Sequence, residues 1–182
     1  MWWISQPEMN YLLLREFDWH TTDFSTSCER IDFSINGTPR KHWPDVSVQT
    51  TAGTHFVQVK GDALAELDDF WQQWPATQRA ICALGTPIRL VLEKEINSDP
   101  LLSVAQLLWP YSRFGSTLEE RRAMLEHIGS AAHRLRDLFS TSEPRVAKRI
   151  VGHLLVTRAL ACIEFGSSPD ACVVALPGVP DE

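Results

Sequence analysis

The chain has 182 residues, with 17 Lys and Arg against 23 Asp and Glu for a net charge of −6, and 44% of its side chains are hydrophobic. That length suits one compact domain, or one domain with a small appendage, and needs no covalent staples. At 22% charged and 9% aromatic residues the chain is neither disordered nor low-complexity, and no apolar run reaches the ~18 residues of a membrane span.

The opening MWWISQPE lacks a basic stretch and a long apolar core, so no secretory signal is expected and a cytoplasmic location is. Cys28, Cys82, Cys162 and Cys172 form no C-x-x-C pair. Zinc and a disulfide framework are therefore not expected. Charge is unevenly spread. Residues 1–100 hold 8 basic and 14 acidic groups, whereas 121–149 hold seven basic and three acidic. The acidic surplus comes early, where a metal site would use some of it.

In chain order, Ser5-Gln6-Pro7-Glu8 reads as a helix start, with Ser5 as cap and Glu8 three residues on. The helix runs on through crowded leucines at 12, 13 and 14. Phe24–Ile35 alternates in places, and Asn36-Gly37 is a turn pair. His42–Gln49 and His55–Lys60 read as a second strand pair joined by a tight loop. The expectation is a meander of three or four antiparallel strands. Residues 63–84 read as a helix with Leu64, Leu67, Phe70, Trp71 and Trp74 inward, kinked or divided at Pro75. Ile88–Glu93 suits a buried strand that extends the sheet.

From about residue 100 the pattern is helical. It comprises LLSVAQLLW, then TLEERRAMLEHIGSAAHRLRDLF opened by a Thr117/Glu120 capping box, then RVAKRIVGHLLVTRALACIEF after Pro144. The end reads as two short strands around a turn, consistent with a winged-helix module.

The chemistry lies in HWPDVSVQTTAGTHFVQVKG. Gln58 and Lys60 are two apart on one strand and share a face. A hairpin between 49 and 55 brings Asp45 alongside them. A carboxylate, an amide oxygen and an ammonium then converge, with the Val59 backbone carbonyl as a further oxygen. Phosphodiester hydrolysis uses such parts: oxygens for Mg²⁺, and a lysine that orients water or offsets charge growing on phosphorus. With an acid at position 58 this would be the PD-(D/E)-x-K nuclease signature. Gln58 is a neutral, weaker ligand, so another acid must help. Glu8 is the candidate, with Glu16 in reserve.

Three stretches go further than the spacing. They are the opening helix from Glu8 to Glu16-Phe17-Asp18, the W-P-D…V-Q-V-K core from Trp43 to Lys60, and IRLVLEKEI followed by an apolar helix. Together they resemble the TnsA family, the endonuclease subunit of heteromeric transposases, over roughly residues 5–110. Some of that family carry Gln before the x-Lys. The resemblance implies a restriction-endonuclease-like α/β fold, a mixed sheet flanked by helices. It implies an active-site set of Glu8, Asp45, Gln58 and Lys60, and Mg²⁺ with Mn²⁺ as substitute. It also implies cleavage at the transposon 5′ ends, a DDE transposase partner that cuts the 3′ ends, and an AAA+ regulator that contacts the C-terminal part.

The reading is thus a nuclease core over 1–98 and a small helical region over 99–182. Asp45 binds metal directly, Gln58 and Val59 add oxygens, and Glu8 binds directly or through water. Products are a 5′-phosphate and a 3′-hydroxyl. His42 and His55 flank the site, and Trp71 and Trp74 read as core. Arg145, Lys148 and Arg149 are candidate DNA-backbone contacts. A stand-alone nuclease of the same fold and a non-catalytic assembly protein remain the alternatives.

Overall fold

The computed structural model of the chain describes residues 5–65 and 68–177, without the side chains of 64, 65 and 68. It is a mixed α/β protein whose contacts separate into two compact units. One unit comprises residues up to 15 and 20–98; the other comprises 16–19 and 99–182.

Helix α1 (Gln6–Phe17) starts where Ser5 Oγ accepts the Glu8 N–H at 3.3 Å. Its buried stripe is Tyr11, Leu14 and Phe17, three residues apart. Leu12 and Leu13 flank the stripe half-buried.

Six strands follow in the first unit. They are β1 (Thr21–Ser25), β2 (Ile31–Ile35), β3 (Thr38–His42), β4 (Val46–Thr50), β5 (Gly53–Lys60) and β6 (Ile88–Leu92). They do not form the expected meander. The main sheet runs β1-β4-β5-β6, and β2 with β3 make a separate hairpin. The reason lies in β3, Thr-Pro-Arg-Lys-His, which is exposed along most of its length. Pro39 has no N–H to give a ladder, and nothing apolar lines either face. The hairpin turns at Asn36 and Gly37, both at positive φ (50° and 76°), the conformation that an Asn-Gly pair adopts readily. Ile31 and Phe33 of β2 pack instead with Trp74, Ile81 and Ile88.

Between β5 and β6 lie α2 (Asp62–Ala65) and α3 (Asp68–Cys82). The helix expected over 63–84 is therefore two elements, and α3 runs uninterrupted through Pro75. Leu64 and Leu67, expected to point inward, lie outside the described side chains. This crossover makes β6 parallel to β5, whereas β4 is antiparallel to it. β5 is thus an inner strand of the sheet, flanked on both sides, and Val57, Gln58 and Val59 are all buried. Register sorts the faces. Val46 pairs with Val57 and Val59 with Val91, all on one face. Phe56, Gln58 and Lys60 take the other, with Ile88 and Leu90 beside them. Helix α4 (Glu93–Ser98) closes this unit.

The second unit begins with α5 (Pro100–Ser112), where Asp99 caps the Leu101 N–H at 2.9 Å. Then come α6 (Leu118–Ile128), β7 (His133–Arg134), α7 (Leu135–Phe139), α8 (Pro144–Val156), β8 (Ala161–Glu164) and β9 (Val173–Ala175). The Thr117/Glu120 capping box forms with both its hydrogen bonds. The long helix expected to follow it stops at Gly129, at φ 55°, and the chain crosses as β7 before α7 starts. The strand order is β7-β9-β8, all antiparallel.

Helix α8 packs against α5 with its buried side Ala147, Ile150, Val151, Leu154 and Leu155. Gly152 permits the close approach. A Cβ there would meet the Ser112 Cβ at 3.2 Å and the Leu108 carbonyl at 3.4 Å. Gly152→Leu is expected to cost about 1–3 kcal/mol in urea unfolding, the usual penalty of overpacking. Unchanged stability would mean that the two helices do not meet at this point.

Candidate functional site

The site forms where β4 begins late and β5 runs on. The β4–β5 ladder opens at Val46 opposite Val57, so β5 residues 58–60 have no β4 partner. Trp43-Pro44 separates β3 from β4, and Pro44 is buried without an N–H to place. Asp45 was expected inside a strand; it sits at the strand's mouth. Its N–H still reaches the Val57 carbonyl at 3.0 Å. Its carboxylate then replaces the missing ladder. Oδ2 accepts the Val59 N–H at 2.7 Å and a short hydrogen bond from the Gln58 side-chain amide. Both bonds fall on Oδ2, and Oδ1 accepts none among the described residues. In a strand the N–H and C=O of one residue face the same neighbour. The Val59 carbonyl therefore faces the Asp45 edge too.

The local field shows what else is near. Burial pushes the Asp45 carboxyl above its usual range, and the Glu8 carboxylate adds to that rise. The Val59 N–H, the Lys60 ammonium and the Gln58 amide work against it. Glu8 and Lys60 are thus both within electrostatic reach of Asp45. Glu8 does two jobs, since its Oε1 also accepts the Ser5 hydroxyl at 2.8 Å.

His42 adjoins this cluster from β3. Burial lowers its pKa, the Lys60 charge lowers it further, and the Gln58 side chain opposes the shift. The His42 ring lies 6.1 Å from the Trp74 ring, and its buried Nε2 has no hydrogen-bond partner among the described residues. A cavity of about 320 Å³ opens here, bounded by His42, Gln58 and Lys60 on the strand side and by α3 on the other.

Other expected residues lie elsewhere. His55 faces away from Gln58, on the Val57 face, where burial, Arg89 and Arg15 lower its pKa. Glu16 belongs to the second unit, with its carboxyl raised by burial and lowered by Arg158. Trp74 is core, whereas Trp71 is 45% exposed. Of the three basic candidates on α8, only Arg145 is exposed. Lys148 Nζ lies over the Tyr111 and Phe139 rings at 5.4 and 5.5 Å. Arg149 binds Glu120 Oε1 and the Gly115 carbonyl, both at 2.5 Å. The sequence reading passed over Asp69, Gln73 and Thr77, which also border the cavity. Their signal was a polar row at a spacing of four beside the aromatic one.

Chemically, the cluster offers oxygen: Asp45 Oδ1, a Glu8 carboxylate, the Gln58 amide oxygen and the Val59 carbonyl. That donor set suits a hard divalent cation. Among the described residues no group of three or more His, Cys, Asp or Glu side chains could hold a metal. Any ion here would depend on the amide and backbone oxygens.

Compared with known proteins, the chain matches no family model and no curated protein.

Gln58→Glu replaces an N–H donor to Asp45 with a second carboxylate. Like charges at that distance disfavour the ionised pair. The variant is expected to melt below the parent in EDTA at neutral pH and to regain the difference in millimolar Mn²⁺. A variant that melts with the parent in EDTA would mean that residue 58 does not sit against Asp45.

Proposed function

We propose that the chain is a metal-dependent DNA endonuclease, the TnsA-like subunit of a heteromeric transposase that cuts transposon 5′ ends. One observation carries this reading. Asp45, Gln58 and Lys60 meet at the open edge of β5, with the Glu8 carboxylate close enough to raise the Asp45 acid. On this reading the first unit is a restriction-endonuclease-like core. Its antiparallel β4–β5 pair, parallel β6 and intervening helices are compatible with that fold.

The residues fit Mg²⁺ or Mn²⁺, which when bound would polarise a phosphoryl oxygen and neutralise charge at the cleavage point. The chain's own groups do the rest. Asp45 has Oδ1 to offer, because both of its side-chain hydrogen bonds among the described residues fall on Oδ2. Lys60 points from the same face as Gln58 and holds a phosphate oxygen or orients the attacking water. Glu8 closes the set from α1.

The second unit supports the same assignment through its order of elements. Helix, strand, two helices and two strands (α6-β7-α7-α8-β8-β9), with β9 central, are compatible with a winged helix. Its α8 is poorly armed for DNA, with Lys148 and Arg149 engaged inside the unit. The β8–β9 connection, residues 165–172, carries no Lys or Arg. Such a chain binds DNA weakly alone, so end recognition falls to a DDE transposase and an AAA+ regulator is a second partner. A non-catalytic assembly role is the other reading, favoured by the tie between Glu8 and Ser5 and by the neutral Gln58.

The test is strand cleavage of transposon-end DNA by the chain together with its transposase in Mg²⁺ or Mn²⁺. Asp45→Ala and Lys60→Ala are each expected to lose about a hundredfold or more of 5′-end cutting while 3′-end cutting persists. Undiminished 5′ cutting by Asp45→Ala would remove the assignment. Failure of Mn²⁺ to raise the melting temperature of the parent would favour the assembly role. On α8, Arg149→Ala is expected to lower the melting temperature, whereas Arg145→Ala should leave it unchanged. The reverse pattern would make Arg149 the free DNA contact.

A further inference from the structure

Gln58 is a polar side chain buried to 5% exposure. A buried amide has to place both of its ends. Its Nε2 is spent on Asp45 Oδ2, which leaves Oε1 for other neighbours. His42 of β3 borders the same cavity as Gln58. The Gln58 side chain favours the protonated form of that ring, so it shows the ring an acceptor. With Nε2 engaged elsewhere, that acceptor is Oε1. The ring has more to offer, because its buried Nε2 has no hydrogen-bond partner among the described residues.

This orientation conflicts with the donor set that a cation needs. An amide binds a hard cation through its oxygen, not through its N–H groups. Turning the amide over would set Oε1 against Asp45 Oδ2, and two oxygens repel each other. That pairing becomes favourable only with a cation between them. The amide N–H groups would then face the ring and need an acceptor there. Lys60, the other neighbour on the strand side of the cavity, can only donate. An uncharged imidazole meets either end of an amide. It carries one N–H donor and one lone pair, and a change of tautomer exchanges them.

We propose that His42 is the positioning residue for Gln58: it faces the amide oxygen when Asp45 holds no cation, and accepts an amide N–H when Asp45 holds one. The cation comes from the nuclease reading above, on which the inference rests. It adds a device that ties the orientation of one buried amide to the occupancy of the site. A Gln58 without an acceptor behind it turns at the cost of a buried, unpaired N–H. Metal affinity then falls, although His42 touches no metal.

The test is NMR of the full chain, labelled at nitrogen, at about pH 8.5 to stay above the usual histidine range. Spectra are taken in EDTA and then in Mg²⁺. Adding Mg²⁺ is expected to move the Gln58 side-chain N–H resonances and to exchange the shifts of the two His42 ring nitrogens, the signature of a tautomer change. A merely structural His42 would leave its ring nitrogens where they were. His42→Leu is expected to bind Mg²⁺ about tenfold or more weakly, as groups behind a metal ligand commonly do when removed. His42→Gln, which both donates and accepts, should recover most of that loss. Should His42→Leu not melt cooperatively, the parent's ring shifts decide alone. Mg²⁺ that shifts Asp45 while Gln58 and His42 stay unchanged, or a folded His42→Leu with parental affinity, would overturn the proposal and leave the nuclease reading standing. No Mg²⁺ response at Asp45 would overturn both. An amide that turns in a chain that never cuts DNA would sink the nuclease reading and keep the positioning role.

Discussion

One half-buried carboxylate organises the first unit. Asp45 stands where β4 should have paired with β5 and does not, and its Oδ2 takes over the strand's role by accepting the Val59 N–H. Burying that charge is expensive. Charge-assisted hydrogen bonds from Val59 and Gln58 offset part of the cost. The offset is incomplete, since burial still holds the acid above its usual range. A carboxyl raised in this way favours the folded state most below its unfolded pKa. The benefit is lost as pH rises through the folded value. In neutral solution Asp45 therefore costs stability unless a cation joins it.

The topology explains why the groups meet there. β5 and β6 are parallel, and the site lies at their carboxyl end, where the chain leaves Lys60 for α2. Open α/β sheets commonly bind ligands at that end. The antiparallel β4 starts at the same end, which is why Asp45 arrives beside Gln58. The detached β2–β3 hairpin then matters, because it carries His42 to the edge of the cleft. The wall opposite comes from α3, whose Trp74 belongs to the core while Asp69 is left exposed.

Much of this was legible in the residues. Period two placed Gln58 and Lys60 on one face, and the tight loop at 51–52 returned β5 beside β4. Ser5 with Glu8, and Thr117 with Glu120, announced their helices because a cap is a local interaction. What escaped was non-local. Phe24–Ile35 alternates, but alternation does not say which strand is the neighbour. β1 pairs with β4 across twenty intervening residues, and β2 leaves the sheet altogether. Period two gave His55 no face relative to Asp45 until the register was known. The run from Thr117 to Phe139 looked helical throughout, and only the positive φ at Gly129 shows where it breaks. Lys148 and Arg149 look like surface cations in the sequence. Their partners, Tyr111, Phe139 and Glu120, are brought to them by packing.

The account stands on a divalent ion among Asp45, Gln58, Val59 and Glu8, and a manganese-soaked crystal examined by anomalous scattering addresses that ion most directly. The predicted result is one peak bound by Asp45 Oδ1 and the Val59 carbonyl, at roughly 2.0–2.2 Å for a hard cation of this size. A fully soaked crystal with no peak at Asp45, or with the ion held by other side chains, would contradict it.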